Sequence, residues 1–323
     1  MALMLGATAF ALALLCAAIM GVAIQRGSTC TVVALDELLR TRRPTRLLAM
    51  IEASVWVGGG LLVLHQFALL PQIPAGYEVT RWTLIGAALL GLGAVVNRGC
   101  VFGTVSRIGS GEWAHLATPL GFYAGCISMA SVFSPPATQG LSSPSPVLGA
   151  PSWVAWLFLA FAIVRGVQLL SRVRVSATSA WSPHAATTVI GITFVGLLLL
   201  AGAWTYTDVL ADVVRGMAQD VSARLSLGLA LLLGAIGGGA LAGKLRNVPL
   251  SLAAAARCFA GGALMGWGSL LIPGGNDGLI LLGMPLLRPY AWAAFATMCV
   301  AIVLALTLAE QITQRSGAAV TPI

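Results

Sequence analysis

Apolar residues run along most of this chain in long stretches, and short polar segments rich in glycine, proline or arginine separate them. A helix that crosses the hydrocarbon core of a bilayer needs about 20 apolar residues. The stretches expected to form such helices cover residues 2–24, 46–70, 82–97, 114–133, 152–170, 186–206, 225–243, 249–272 and 290–310. The pattern therefore predicts an all-α polytopic membrane protein, with room for roughly eight to ten passes at this helix length.

Several apolar pieces are too short to cross a bilayer. Residues 25–39 and 279–287 are such pieces, and polar residues with glycine interrupt the chain at 97–100 and 273–278. Irregular backbone persists within a bilayer only where protein or a water-filled path surrounds it, and many transporters build substrate sites from broken helices. We therefore expect short broken or re-entrant helices that meet at the centre. The mixed charged and apolar residues of 207–224 predict an amphipathic helix at the membrane interface.

Prolines and polar residues divide the chain near its middle. Residues 134–151 contain five prolines and are expected to form a loop, and a polar linker covers 171–185. We interpret residues 1–323 as a single transmembrane transport domain whose halves cover about 1–150 and 186–312.

The composition excludes a soluble globule. Hydrophobic residues make up 58% of the 323 residues and charged residues only 9%, against about 25% charged residues in an average domain. The net charge of +8 comes from 18 basic and 10 acidic residues. Arg40, Arg42, Arg43 and Arg46 form one basic loop, which the positive-inside rule assigns to the cytoplasm. The basic residues do not alternate with exposed aromatic residues, so nucleic acid is not expected as a partner.

The six cysteines are scattered, mostly within apolar stretches, and none belongs to a CxxC pair. No group of histidines and cysteines has the spacing of metal ligands. We therefore expect no disulfide framework, no metal site and no other cofactor. No positive charge precedes the first apolar segment, which favours a first membrane helix over a cleaved signal peptide.

A nine-residue spacing recurs along the chain. A glycine precedes a cysteine by nine residues twice, and a third copy carries glycine in place of the cysteine: Gly21 and Cys30, Gly91 and Cys100, Gly266 and Gly275. An amide side chain, an arginine and a glycine stand shortly before each cysteine: Gln25, Arg26 and Gly27, and Asn97, Arg98 and Gly99. Such self-similarity is typical of transporters and predicts two pseudo-symmetric halves, with close packing of glycine-rich helices as the alternative.

The residue types before each cysteine indicate a chemistry. An arginine within a run as apolar as 87–105 is costly and usually functional, so we interpret Arg26 and Arg98 as lining a substrate site. The alternative is that both side chains reach the membrane interface. An arginine fork suits an oxyanion, backbone N–H groups at a helix start add donors, and a thiol is a soft, weak donor. This combination favours a sulfur-containing oxyanion.

Three segments resemble the YeeE/YedE family of sulfur-transport membrane proteins: QRGSTC at 25–30, NRGC at 97–100 and GGALMGWGSLLIPGGNDG at 261–278. The resemblance extends over most of the chain. It implies an all-helical fold of two pseudo-symmetric halves with short central helices, and uptake of thiosulfate across the bacterial inner membrane. It also implies that three cysteines pass thiosulfate along by S–H···S hydrogen bonds. Two of those positions match Cys30 and Cys100, and the resemblance allows a small soluble sulfur-carrier protein as a partner.

One position departs from the family pattern. The third cysteine of the family lies within Gly-Cys-Asn, where this chain has Gly274, Gly275 and Asn276. A path of three cysteines cannot operate unchanged, which leaves open a different sulfur or selenium substrate, a weaker handover or a mechanism with two thiols. Cys258 and Cys299 lie in the same region at other places in the pattern, and we interpret both as small buried residues.

Other polar residues have simpler interpretations. Asp277 is expected to cap the following short helix, with a co-transported cation or proton as the alternative. Glu52 is expected either to pair with an arginine or to lie at the interface. His65, His115 and His184 share no spacing and are expected to be structural or interfacial.

The leading hypothesis is an inner-membrane permease for thiosulfate or a related sulfur anion. The residues expected along its path are Cys30, Cys100, Gln25, Arg26, Gly27, Asn97, Arg98, Gly99, Gly275 and Asn276. No residue is assigned a catalytic role. A membrane thiol enzyme (a sulfurtransferase or a thiol-disulfide exchanger) is the first alternative, and the absence of a CxxC pair counts against it. A channel-like subunit of a larger complex is the second, and no ATP-binding motif supplies energy.

Overall fold

The computed structural model describes residues 2–70, 73–132, 140–141, 145–172, 181–214, 220–272 and 275–315. Its helices are α1 (Ala2–Gly27), α2 (Thr31–Thr41), α3 (Thr45–Gln66), α4 (Arg81–Asn97), α5 (Val101–Gly109), α6 (Ala117–Val132), α7 (Ser152–Arg172), α8 (Pro183–Ala201), α9 (Tyr206–Val214), α10 (Val221–Leu241), α11 (Leu252–Leu271), α12 (Asn276–Gly278) and α13 (Pro289–Arg315). A 3₁₀ turn covers Trp113–Leu116 and a π-helical turn covers Leu279–Gly283. Two short antiparallel strands, β1 (Gly76–Tyr77) and β2 (Gly140–Leu141), pair with each other.

The prediction of an all-α polytopic membrane protein is confirmed. Six helical segments among the described residues are long and apolar enough to cross a membrane. Local capping interactions set several helix starts. Thr80 and Thr83 form a reciprocal capping box before α4, and the Ser182 hydroxyl accepts from Ala185 N–H with Pro183 in the first turn of α8. Both arrangements satisfy N–H groups that a helix start leaves free.

One order of elements recurs four times. A long helix ends at a break, a short helix follows, and a further long helix comes next: α1–α2–α3, α4–α5–α6, α8–α9–α10, and α11–α12 with its π-helical turn before α13. The interfacial helix expected over 207–224 differs from the structure. The chain there forms α9, whose residues Thr207, Val209 and Ala211 are buried and which packs on α6 and α10. The predicted loop at 134–151 and linker at 171–185 lie partly outside the described residues.

The two halves of the chain interlock. Helix α1 packs on α8 and α10, while α11 packs on α4 and α6. Helix α3 packs on α8, and α13 packs on α4. Each long helix that precedes a break therefore finds its main partners in the other half of the chain.

The contacts between helices show which helix ends lie at the same end of the bundle. Gly234 lies against Ala18 and Gly238 against Val22, so α1 and α10 run parallel, whereas Gly27 on α1 approaches Ala186 at the start of α8. The ends of α1, α4 and α10 and the starts of α3, α6, α8 and α11 therefore share one end. We call it the arginine-rich end because it carries Arg40, Arg42, Arg43, Arg46, Arg98, Arg107, Lys244, Arg246 and Arg257.

Candidate functional site

The two breaks of the first half have the same backbone geometry. Ser28 and Arg98 adopt left-handed conformations with φ of 48° and 58°. The next N–H group reaches back over one turn in each case, from Thr29 to Ile24 O at 3.1 Å and from Gly99 to Ala94 O at 2.8 Å. These bonds satisfy carbonyls at the ends of α1 and α4. By backbone position, therefore, Ser28 corresponds to Arg98, so the two Arg-Gly pairs of the sequence are not equivalent in space.

Both cysteines of the sequence motif begin a short helix. Cys30 O accepts from Ala34 N–H at 2.9 Å and Cys100 O from Thr104 N–H at 2.8 Å, so these cysteines are the N-caps of α2 and α5. Both side chains are buried. The two thiols are hydrogen-bond partners, and Thr31 N–H donates to Cys100 Sγ at 3.2 Å. The structure thus brings together two residues that lie 70 positions apart in the chain.

The Asn97 side chain holds the second break in place. It is fully buried, and its Nδ2 donates to Gly99 O at 2.7 Å and to Thr104 Oγ1 at 2.9 Å. Its Oδ1 accepts from Thr118 Oγ1 at 2.8 Å. Because both ends of the amide are engaged, Asn97 positions the Cys100 break.

The breaks of the second half place different residues at the same backbone position. Thr205 O accepts from Val209 N–H at 3.4 Å at the start of α9, and Gly275 O accepts from Leu279 N–H at 2.9 Å at the start of α12. Thr205 and Gly275 therefore correspond to Cys30 and Cys100. Sequence reasoning identified Gly275 from its spacing. It missed Thr205 because no cysteine marks that position, although Gly196 precedes it by the same nine residues.

Oxygen atoms surround the second pair of breaks. Asp277 is buried and accepts from Thr207, both from its hydroxyl and from its N–H at 3.3 Å. Thr205 Oγ1 donates to Asp208 Oδ2 at 2.6 Å. A side chain on Gly275 would overlap the Thr207 hydroxyl, so this position has no room for the cysteine of the family pattern. The Asn276 side chain lies outside the described part of the chain.

Tyr206 joins the two pairs of breaks. Its hydroxyl donates to Val101 O at 2.5 Å, at the start of α5. Its neighbours include Cys30, Cys100 and Asp277. The starts of α2, α5, α9 and α12 therefore gather in one region, as the expectation of central short helices requires.

Three predicted residues belong to the last turn of α1, before the first thiol. Gln25 Nε2 donates to Ser110 Oγ at 3.4 Å, near Gly239 and beyond the far end of α5 from Cys100. Arg26 is buried, and its carbonyl accepts from Trp181 N–H at 3.3 Å. Gly27 allows the close approach of α1 to α8. The Gln25 amide is therefore bonded at the far end of α5, whereas Gly27 lines a recess together with Cys30.

A small recess leads to Cys30 from the arginine-rich end. Its free volume is only about 10 Å³, and it is lined by Gly27, Ser28, Thr29, Cys30, Arg46, Ala49, Met50, Pro183 and Thr187. Arg46 Nη1 donates to Gly27 O at 3.3 Å and to Ser28 O at 3.2 Å, and its Nε lies 3.1 Å from Glu37 Oε2. Arg46, in the first turn of α3, thus lines the recess beside the first thiol, a position that the sequence did not indicate.

The arrangement provides chemistry suited to a soft anion. Helices α2, α5 and α9 each present their start, where N–H groups and the helix dipole favour negative charge. The thiols add weak donors that a sulfur atom can accept from. In the described residues no group of three or more His, Cys, Asp or Glu side chains could hold a metal ion. Glu52 does pair with an arginine, at 3.4 Å from Arg165 Nε.

Comparison with known proteins agrees with this chemistry. No curated protein matches the chain. A family model described as sulphur transport matches residues 26–304, which covers most of the chain and all four breaks. The chain therefore belongs to the YeeE/YedE sulphur transport family.

Proposed function

We propose that this protein is an inner-membrane permease that carries thiosulfate or a related sulfur-containing anion past the thiols of Cys100 and Cys30. The observation that carries the proposal is the contact between these thiols at the starts of two short helices. Membership of a sulfur-transport family supports the substrate class.

In this mechanism the anion exchanges hydrogen bonds as it moves. The terminal sulfur of thiosulfate accepts S–H donation from one thiol and then from the other, while its oxygens accept from N–H groups at the helix starts. The hydrogen bond between the thiols is weak and easily replaced. Arg46 then offers its guanidinium at the recess beside Cys30. Gln25, Arg26 and Gly27 hold α1 against its neighbours, and Asn97, Arg98 and Gly99 shape the Cys100 break.

The direction of uptake follows from the distribution of charge. The arginine-rich end faces the cytoplasm under the positive-inside rule, so the recess beside Cys30 is the exit. The anion enters from the opposite end, past Thr205 and Gly275. Passive flow, ion coupling or a soluble sulfur-accepting protein in the cytoplasm supplies the driving force.

The domain organisation belongs to the same proposal. We take residues 1–323 as one transport domain whose halves, about 1–150 and 186–312, are inverted pseudo-symmetric repeats. The recurring order of elements supports this, and so does the matched packing of α1 on α10 and α8 on α3. Inverted repeats around a central site are a common transporter plan.

A thiol enzyme is the second candidate, and one observation favours it. The contact between Cys30 and Cys100 supplies the neighbouring thiol that the sequence lacks as a CxxC pair. A sulfurtransferase thiolate would attack the outer sulfur of thiosulfate, break its S–S bond, keep that sulfur as a persulfide and release sulfite. An exchanger would attack a disulfide substrate, form a mixed disulfide and release the other thiol. A permease leaves neither, so mass spectrometry after incubation with thiosulfate separates the two.

Uptake of radiolabelled thiosulfate into proteoliposomes tests the proposal. We compare the wild type with Cys100→Ala and with Cys126→Ala, a matched control whose buried thiol lies on α6 and contacts Gly266 O at 3.6 Å. We expect uptake by the wild type and by Cys126→Ala, and none by a folded Cys100→Ala protein. Equal uptake by both variants would reject the thiol path. Wild-type protein that moves selenosulfate or sulfite but no thiosulfate would reassign the substrate.

A further inference from the structure

A second group of polar side chains gathers at the arginine-rich end, beside the break between α4 and α5. We call it the basic cluster; its members are Arg98, Arg107, Glu112, His115, Arg257 and Cys258. Arg107 Nη1 lies 2.9 Å from Glu112 Oε2, and His115 Nε2 lies 3.7 Å from the same oxygen. Cys258 Sγ lies 3.7 Å from His115 Nδ1. The two interior members, His115 and Cys258, are almost completely buried.

The basic cluster carries more positive than negative charge. The charged neighbours of Arg98 are Arg107 and Arg257, and Glu112, the one carboxylate of the cluster, pairs with Arg107. Across the described ranges, no carboxylate lies within ion-pair distance of Arg98 or Arg257. Arg257 Nε is buried and has no hydrogen-bond partner. The cluster contains three arginines and one carboxylate, so the positive charges of the arginines are only partly compensated. A bound anion would reduce the repulsion between these positive charges.

His115 adds no charge to the excess of positive over negative charge in the basic cluster. Burial, followed by the charges of Arg107 and Arg257, lowers the pKa of His115 to about 3. The imidazole is therefore neutral near pH 7 and can accept a hydrogen bond from a thiol. The cluster keeps the charge of its arginines without adding a fourth cation.

Hydrogen bonds connect the basic cluster to the Cys100 break. The Cys258 thiol is a hydrogen-bond partner of Thr118, and Thr118 Oγ1 donates to Asn97 Oδ1 at 2.8 Å. Asn97 in turn donates to Gly99 O at 2.7 Å. The cluster therefore adjoins the backbone that positions the second thiol.

We propose that the basic cluster is a second binding site for a divalent sulfur oxyanion, held mainly by the guanidinium groups of Arg98 and Arg257. Planar guanidinium forks match the oxygens of such an anion. That the transported anion pauses at this site on the cytoplasmic side rests on the function proposed above. That the site binds an anion does not depend on that function. A dissolved anion and the phosphate of an anionic lipid offer the same chemistry, and the test distinguishes them.

Equilibrium binding of radiolabelled thiosulfate to the full chain in phosphatidylcholine nanodiscs tests this site. All proteins carry Cys100→Ala, which removes the thiol contact of the central path. Arg257→Gln or Arg98→Gln is added to this background, and Arg43→Gln serves as the control because it removes an exposed arginine of the α2–α3 loop. We expect Arg257→Gln and Arg98→Gln to weaken binding about tenfold, the effect of losing one charge-assisted pair. Arg43→Gln should leave it unchanged.

Several outcomes would contradict the proposal that the basic cluster binds thiosulfate. Equal affinities for Arg257→Gln and Arg43→Gln, in proteins with unchanged thermal unfolding, would reject it while leaving uptake by the wild type intact. Thiosulfate binding that disappears when phosphatidylglycerol is added would assign the cluster to lipid headgroups. If the cluster binds thiosulfate but the wild-type protein, with Cys100 intact, transports none, the site is supported and the proposed function is rejected, so the two failures are distinguishable.

Discussion

The two pairs of helix breaks share one backbone plan and differ in chemistry. In the first half, Cys30 and Cys100 cap α2 and α5, and their thiols contact each other. In the second half, Thr205 and Gly275 occupy the matching positions, and Asp277 engages Thr207 close by. The thiols hold each other through weak hydrogen bonds that a substrate can replace. The side-chain oxygens beside the second pair bond to one another or to nearby backbone, so we expect that pair to contribute mainly to stability.

This difference shows what the repeated backbone supplies and what it leaves to the side chains. A break followed by a helix start presents free N–H groups whatever residue caps it. The residue at the capping position then decides the kind of hydrogen bonds formed there. Thiols form weak bonds that another group can replace, whereas hydroxyl and carboxylate oxygens form stronger bonds within the protein. We expect function to be concentrated in the first half and stability in the second.

The largest expected effect is the loss of uptake when a thiol is removed. We expect Cys30→Ala to reduce thiosulfate uptake at least about 100-fold, a loss of about 2.7 kcal/mol of barrier stabilisation, because the handover beside the recess disappears. Thr205→Ala, at the matching position, should retain uptake within about threefold, since its hydroxyl bonds to Asp208. Initial rates in proteoliposomes measure both variants. Equal losses would remove the distinction between the halves.

Restoring the family cysteine should destabilise the second half. Gly275→Cys places a side chain against the Thr207 hydroxyl, and such overpacking costs about 1–3 kcal/mol of unfolding free energy. Denaturant or thermal unfolding in detergent measures this cost. In a double-mutant cycle with Thr207→Ala, the combined cost should be smaller than the sum of the single costs. A Gly275→Cys protein as stable as the wild type would contradict the crowding described at this position.

A smaller effect is expected when the thiol pair is displaced without being removed. A methyl group on Gly103 would lie 2.5 Å from Cys30 Sγ, so Gly103→Ala should shift that thiol and reduce uptake about tenfold, as misplacement of a reacting group does. The matched control is Gly228→Ala on α10, where an added Cβ meets no atom within 4 Å. Unfolding temperatures of both variants distinguish displacement from loss of fold. Uptake equal to the control would argue against close thiol contact.

The smallest expected effect is a dependence of stability on pH beside the first-half breaks. The pKa of His115 is lowered from 6.5 to about 3 by burial and by Arg107 and Arg257. The unfolded chain therefore binds a proton below pH 6.5 that the folded chain does not, so stability falls as the pH is lowered from 6.5 towards about 3. His115→Gln should flatten this part of the profile, whereas the exposed His65→Gln should not. Identical profiles for both variants would contradict the burial of His115.

The sequence predicted the helices better than the site. Apolar length alone located most long helices, and glycine with polar residues located three of the four breaks. The break between α8 and α9 was missed because Asp208 and Asp212 gave the segment an amphipathic pattern. In the fold, hydrogen bonds such as Thr205 to Asp208 satisfy these carboxylates locally, and the apolar residues of α9 are buried.

The sequence predicted only some of the site residues correctly, because backbone conformation and tertiary contacts determine the others. A nine-residue spacing fixes where each cysteine stands after its helix, and both cysteines indeed cap a short helix. The sequence alone could not show that Ser28 matches Arg98 in the fold, because this depends on left-handed backbone at one residue of each break. The contact of Cys258 with His115 is tertiary and leaves no local signal.

The interlocked packing has a consequence for how the chain is made. Helix α1 is synthesised long before one of its main partners, α10, which covers Val221–Leu241. Until those residues leave the ribosome, the small-residue face of α1 must rest against lipid or the insertion machinery. Contacts so distant along the chain slow folding. The assembled core can therefore form only late in synthesis, when the second half threads its helices between those already inserted.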